Sequence, residues 1–364
     1  MKTVSDIPDF KGKKVLLRTD FDVPILTNDQ RLMTSNKLQI AETFRIHKQK
    51  PMIDYLLDGG AKVVMVSHIS AVNSFKPILP QLESLLNRPI HLEAKLPSGS
   101  LASGLTLLDN IRRWPGEKEN SNEFAKQLGT GFDFYINNAF AVCHRRHASI
   151  SAIVKFLPSY AGLLTEEETE NLNKVINSSK ESKIIIIGGA KAETKIPVIK
   201  NLIDKSEKII LGGVVANDIF KERGMDIDDS LADKNSKELF VGLDIYDSRL
   251  VLADDFNAPG GKILDIGPAS ISKFIDLIGQ AKMVIWNGPM GLFENSDYAK
   301  GTYEIAKALA NLNSFRVIGG GDTITAVNRL GILNKFNFVS TGGGAMLAFL
   351  AGEKLPGLEA LGYY

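Results

Sequence analysis

The chain has 364 residues with 43 basic and 42 acidic side chains, a net charge of +1, which excludes a nucleic-acid footprint or a membrane-surface patch as its main business. Its 44% hydrophobic and 23% charged content is ordinary for a globular protein, and the length exceeds what one core usually supports, so two domains are expected. The single cysteine, Cys143, excludes an internal disulfide, and no apolar run approaches the roughly 20 residues of a membrane span.

The opening Met1–Asp6 lacks the apolar stretch of a signal peptide, so a cytoplasmic protein without membrane or nucleic-acid partners is expected. Short apolar runs then recur, each followed by a turn and a longer amphipathic stretch. Strands are expected at residues 15–17, 62–67, 134–137, 184–187, 209–211, 283–286 and 316–318. Helices are expected at 50–58, 77–86, 121–128, 196–203, 299–311 and 323–330. Alternation of this kind predicts an α/β protein with doubly wound parallel sheets, Rossmann-like in plan, whose ligands gather at the carboxyl ends of the strands. A polar helix over 165–178, with Thr165 as N-cap before Glu166, Glu167 and Glu168, reads as a solvent-bridging linker. Residues 352–364, with Pro356, Gly357 and Gly362, read as an extended tail.

Along the N-terminal half, Arg18-Thr19-Asp20-Phe21-Asp22-Val23-Pro24 follows the first strand. Two carboxylates with a nearby arginine suit a hydroxylated substrate, and they suit a structural ion pair equally. The scattered cations Arg18, Arg45, His68, Arg112 and Arg145 suit a small anionic molecule. His144 and His147 stand at i, i+3 spacing, but no Cys-x-x-Cys or HExxH-type context supports a metal there. Cys143 reads as a small buried residue.

The C-terminal half carries glycine clusters. Gly188-Gly189-Ala190-Lys191 leaves a strand through a tight turn, with Lys195 on the same helix face as Lys191 if a helix begins near Ala192. Ordinary solvated lysines at a strand-to-helix turn are the plain alternative. Trp286-Asn287-Gly288-Pro289-Met290-Gly291-Leu292-Phe293-Glu294 reads as a surface loop, or as a nucleoside site with Glu294 on a ribose and Met290 and Phe293 beside a base. Gly319-Gly320-Gly321-Asp322-Thr323 opens a helix, and three successive glycines carry an entropic cost that a merely structural turn rarely needs. Asp322 either caps that helix or orients Mg²⁺ on a nucleotide. Ser340-Thr341-Gly342-Gly343-Gly344-Ala345 repeats the logic. One half thus reads as built for a nucleotide and the other for its phosphoryl partner, the layout of a two-substrate kinase.

In this order and spacing the segments resemble the phosphoglycerate kinase family over nearly the whole chain. The resemblance implies an acceptor domain over residues 1–160, a linking helix and hinge over 161–180, a nucleotide domain over 181–350, and a tail over 351–364 that returns to the first domain. It implies reversible transfer of phosphate between MgATP and 3-phosphoglycerate, giving MgADP and 1,3-bisphosphoglycerate, by direct in-line transfer after hinge closure, in a protein that is commonly a monomer. The implied acceptor site comprises Asp20, Phe21, Asp22, Arg45, His68, Arg112 and Arg145. The implied nucleotide site comprises Lys195, Glu294, Gly320, Gly321, Asp322 and Thr323, with Gly188, Gly189, Gly212 and Asn287 beside them. Lys191 and Arg45 would serve the transferred phosphoryl group, and Asp322 the magnesium.

The chain departs from the family pattern in the acceptor half. Asp22 stands for a usual asparagine, and Ser67-His68-Ile69-Ser70-Ala71-Val72 for the usual Ser-His-Leu-Gly-Arg-Pro, so an arginine is missing. Asn138 replaces a usual aspartate, and Ala141-Val142-Cys143 a usual Gly-Thr-Ala. Arg113, Arg146 and Lys76 are the candidates for compensation. A nucleotide-binding homologue with a lost or changed acceptor is the second reading that these departures raise.

Overall fold

Hydrogen-bonded parallel strands organise both halves of the chain. The computed structural model describes residues 1–26, 38–96 and 104–364. Within these, the first half contributes β1 (Lys14–Arg18), a short antiparallel pair β2 (Ile25–Leu26) and β3 (Gln39–Ile40), β4 (Lys62–Val66), β5 (His91–Glu93), β6 (Leu105–Leu108), β7 (Phe134–Asn137) and β8 (Ser159–Ala161). Six of them form one parallel sheet in the order β5-β6-β4-β1-β7-β8. Val15 and Leu17 face the cluster that holds Ile46, Met52, Ile53 and Leu56, while Leu16 faces Phe124, Leu128 and Ile153. Alternate residues of one strand thus enter two cores, as a sheet covered on both faces requires.

The second half contributes β9 (Lys183–Ile187), β10 (Lys208–Leu211), β11 (Leu250–Val251), a short pair β12 (Phe256–Asn257) and β13 (Asp265–Ile266), β14 (Met283–Asn287), β15 (Phe315–Gly319) and β16 (Phe338–Ser340). Its parallel sheet has the order β11-β10-β9-β14-β15-β16. This is the doubly wound order in which the strand sequence reverses beside the first strand, here between β9 and β14. The four isoleucines of β9 are buried on both faces. Two compact units result, Met1–Thr169 with Lys354–Tyr364, and Glu170–Glu353.

The helix expected at 50–58 spans Phe44–Asp58, with Pro51 in its interior. Proline usually marks a helix boundary because it lacks the N–H, and here the helix continues through it. The linking helix spans Leu163–Asn177, and Thr165 is not its N-cap. Asn138 Oδ1 instead accepts from Leu164 N at 2.9 Å, and Thr165 Oγ1 donates to the Asn137 carbonyl at 2.7 Å. The Asn138 amide also donates to Gln49 Oε1 at 2.9 Å, a bond the usual aspartate could not make. Nor is this helix a solvated bridge: Leu164, Thr165, Glu168, Thr169, Leu172 and Val175 are all buried. Its last carbonyls are met by the buried Lys183, whose Nζ donates to Val175 O at 2.7 Å and Ser178 O at 2.8 Å. The tail is not extended, because Pro356–Ala360 is a short helix. Gly357 N donates to the Cys143 carbonyl at 2.8 Å.

Candidate active site

Parallel register brings Arg18, Val66 and Asn137 side by side at the carboxyl ends of β1, β4 and β7. The loops leaving these ends carry the expected acceptor residues. Arg45, in the first turn of helix Phe44–Asp58, lies 3.5 Å from the buried Asp20 and donates to the Asp22 carbonyl oxygen at 3.0 Å. Asp22 Oδ1 accepts from Ser70 N at 2.7 Å, while its Oδ2 accepts from Ser70 Oγ at 3.1 Å and faces His68 Nε2 at 3.1 Å. Burial pushes the Asp22 pKa up, but the contacts with His68 and Ser70 outweigh it and hold the carboxyl well below the usual range. Asp22 is therefore ionised.

His68 is not the cation that the sequence suggests. Burial lowers its pKa against the pull of Asp22, so the ring is neutral near pH 7. Arg18 can only donate, so Nδ1 accepts from its Nη2 at 3.4 Å and the ring proton sits on Nε2, which lies 3.1 Å from Asp22 Oδ2 without hydrogen-bond geometry. Arg18 is likewise no surface ligand. It is buried, donating to Ser149 Oγ at 2.9 Å, to Val66 O at 3.2 Å and to Thr19 O. Ser149 in turn binds the buried Glu117 through Oγ at 2.7 Å and N at 2.8 Å. The arginine beside Asp20 and Asp22 is Arg45.

Arg112 Nη1 donates to Ser70 Oγ at 2.7 Å. Burial and the neighbouring Arg145 charge both depress the Arg112 pKa. Guanidiniums close enough to repel are relieved by an anion between them, so the pair suits an anionic ligand. Phe21 contributes only backbone: its ring packs edge-on against Phe75, and its N–H donates to Ser67 Oγ at 2.9 Å. The compensating arginines are engaged elsewhere. Arg113 binds Asp109 at 2.6 Å, and Arg146 lies 3.6 Å from Glu359. Lys76 stands exposed in the turn Lys76–Ile78. His147 approaches Glu117 at 3.7 Å, and burial pushes the Cys143 thiol up to about 12, far from a nucleophile's range. Sequence reasoning missed Ser70 and also Glu42, which accepts from Phe44 N at the start of the Arg45 helix.

In the second unit the strand order reverses between β9 and β14, and the backbones leaving them touch. Gly188 N donates to Asn287 O at 3.0 Å and Gly189 N to Pro289 O at 2.8 Å. A Cβ on Gly188 would collide with the Pro289 carbonyl, so close backbone approach requires glycine here. Beyond the junction lie two adjoining cavities that share Gly189, Ala190 and Asp322. One, of about 770 Å³, is lined by Lys191, Lys195, Asn287, Gly320, Gly321, Thr323, Gly343 and Gly344. The other, of about 790 Å³, is walled by Gly212, Phe220, Leu231, Phe256, Leu264 and Met290, with Glu294 at its edge. A polar bay with amines and helix-opening glycines, joined to an apolar slot, suits a molecule with phosphates at one end and a flat apolar group at the other.

The helix begins at Ala192, and Lys191 and Lys195 line the same bay but differ in exposure. Lys191 is exposed just before helix Ala192–Leu202, whereas Lys195 is buried and donates to Asn287 Oδ1. Burial brings Lys195 down to about 8, with Asp322 opposing and Lys191 adding to the shift. Asp322 is not a cap, because Gly320, at φ +94°, holds the N-cap position of helix Gly321–Arg329. Asp322 lines both cavities. Among the described residues no group of three or more His, Cys, Asp and Glu is placed to hold a metal. One carboxylate beside a phosphate bay fits Mg²⁺, which takes one or two carboxylates together with substrate phosphates.

Thr323 Oγ1 accepts from Gly288 N at 2.7 Å and so pins the β14 loop. That loop is no surface feature: Trp286 is fully buried and donates to Gly288 O at 2.7 Å. Met290 lines the apolar slot, but Phe293 packs with Ala299 and Ala326 under the Arg329 guanidinium. The slot walls Phe220, Leu231, Phe256 and Leu264 carry no sequence signal, since each reads as ordinary core.

A family model described as phosphoglycerate kinase matches residues 4–353. The chain is 37% identical to the chloroplastic phosphoglycerate kinase of Volvox carteri, covering 99% of this chain and 86% of that protein. It is also 37% identical to the phosphoglycerate kinase of Prochlorococcus marinus strain MIT 9312, covering 98% and 97%. Among solved structures, phosphoglycerate kinase from Pyrococcus horikoshii OT3 superposes with a TM-score of 0.87 at 29% identity, covering 100% and 99% of the two chains. That from Coxiella burnetii gives 0.83 at 28%, covering 99% and 98%. A match of this extent, joined to the site geometry, decides the matter: the chain belongs to the phosphoglycerate kinase family.

Proposed function

We propose that this phosphotransferase moves a phosphoryl group reversibly between MgATP and 3-phosphoglycerate, with MgADP and 1,3-bisphosphoglycerate as the other pair. The observation that carries the reading is the double cavity at the β9/β14 junction, where an amine-lined bay opens into an apolar slot and Asp322 borders both. Lys195 holds phosphate oxygens of the nucleotide, Lys191 serves the transferred phosphoryl group, the slot takes the base, and Glu294 at its edge takes a ribose hydroxyl. Magnesium, when bound with the nucleotide, neutralises phosphate charge, and Asp322 orients it.

The acceptor binds among Asp20, Arg45, Arg112 and Arg145, with Arg45 nearest the transferred group. Residues 1–160 are the acceptor domain, 161–180 the link, 181–350 the nucleotide domain and 351–364 the returning tail. Phosphoryl transfer demands positioning and charge stabilisation, so no side-chain nucleophile is needed. The ligands must be brought in line with water excluded, which hinge closure accomplishes. A cytoplasmic monomer is the simplest form consistent with this role.

Steady-state turnover of purified protein with MgATP and 3-phosphoglycerate tests the proposal. Saturable turnover is expected, with a weak acceptor constant because Ala71 stands where an arginine is usual. The loss of such a charged hydrogen bond costs about 1.5–3 kcal/mol, or roughly ten- to hundred-fold in affinity. MgATP binding without turnover would overturn the acceptor assignment.

A further inference from the structure

Ser70 supplies the acceptor cluster with a hydroxyl that the usual glycine at this place lacks. Its backbone N–H reaches Asp22 Oδ1 at 2.7 Å, and its Oγ lies 3.1 Å from Asp22 Oδ2 and 2.7 Å from Arg112 Nη1. An ionised carboxylate only accepts and a guanidinium only donates, so the single hydroxyl proton points to Asp22 and a lone pair points to Arg112. His68 Nε2 lies 3.1 Å from Asp22 Oδ2 without hydrogen-bond geometry. The direction of both bonds in the chain Asp22–Ser70–Arg112 is therefore determined. Arg112 Nε is buried without a protein partner among the described residues, which leaves Ser70 as the anchor of this guanidinium.

We propose that Ser70 is a positioning residue for acceptor binding, holding Arg112 toward an anionic oxygen of the substrate. The inference rests on the acceptor assignment made above. A glycine at position 70 would keep the backbone bond to Asp22 and lose both hydroxyl bonds. A neighbouring arginine would ordinarily share the anion, and with Ala71 in its place the orientation of Arg112 carries more of the binding.

Two measurements on wild type, Ser70→Ala and Ser70→Thr test it: steady-state kinetics with 3-phosphoglycerate, and the nitrogen NMR signal of Arg112 Nε–H in the ligand-free protein. Ser70→Ala is expected to raise KM for 3-phosphoglycerate about five- to tenfold. Its kcat and KM for MgATP should stay within about twofold, and Ser70→Thr should restore binding. The Arg112 signal should be ordered in wild type and Ser70→Thr and broadened or averaged in Ser70→Ala. An unchanged acceptor KM with an unchanged Arg112 signal would overturn the proposal. If wild type shows no turnover at all, the acceptor assignment falls and the NMR signal alone decides: its loss in Ser70→Ala supports positioning, its persistence refutes it.

Discussion

Lys195 Nζ donates to Asn287 Oδ1, tying the helix after β9 to the end of β14 inside the phosphate bay. Burial has already brought this amine down to about 8. A bound polyphosphate favours the charged form and raises that value. Nucleotide affinity is therefore expected to be level below pH 7 and to fall as pH rises through about 8. Binding at pH 8 should take up protons. Calorimetry in buffers of different ionisation heat reads the uptake directly, and a zero uptake at pH 8 would remove Lys195 from the phosphate site.

Lys191 stands exposed at the edge of the same bay, just before the helix that carries Lys195. A free amine of this kind serves a group whose charge develops in the transition state. Lys191→Ala should reduce kcat by about 10²–10³, the scale of losing one preorganised charge donor. Nucleotide Kd should change by less than about threefold. Equal losses in both would mean that Lys191 only binds.

Arg18, Ser149 and Glu117 form a buried charge relay beneath the acceptor loops. Removing Arg18 leaves Glu117 buried with its Ser149 bonds but without the guanidinium charge that offsets its burial. Arg18→Met should cost about 3–5 kcal/mol in urea unfolding, and adding Glu117→Gln should recover a substantial part of it. Additive losses in the double variant would refute the coupling.

Asp218 is buried, accepts from Asp233 N at 2.7 Å through Oδ1, and has no hydrogen-bond partner for Oδ2 among the described residues. Burial raises its pKa to about 6, opposed by the hydrogen bond from the Asp233 backbone and supported by the Asp233 charge. A carboxyl raised on folding contributes stability that is complete below pH 4 and lost as pH rises through about 6. Asp218→Asn keeps the acceptor for Asp233 and removes the charge. It should stabilise the protein by roughly 1–3 kcal/mol at pH 8 and change little at pH 4. Denaturant midpoints at the two pH values check this.

The seven strands expected from apolar runs all form, each within two residues of its expected bounds. The missed strands of the two large sheets are β5, β6, β8, β11 and β16, none longer than four residues. Four of these have at most three residues, too few for a periodicity to read, and β6, although as long as β7 and β10, has no β-branched run (Leu-Thr-Leu-Leu). The glycine clusters marked the nucleotide half because a backbone that must approach another backbone or a phosphate tolerates little else. At Gly188 it is the Pro289 carbonyl that leaves no room for a Cβ, a cause no sequence pattern expresses.

What the sequence determined by itself was the local grammar: buried strands, glycine turns at their ends, and the residue types that a phosphoryl-transfer site needs. Tertiary structure decided which of those residues act. It buried Arg18 against Ser149, neutralised His68 between Arg18 and Asp22, and turned Arg113 and Arg146 toward Asp109 and Glu359. It also set Ser70 between Asp22 and Arg112, residues separated by 48 and 42 positions along the chain. Charge state and orientation depend on burial and on partners often far away in sequence, which parallel-sheet register and the C-terminal helix bring together.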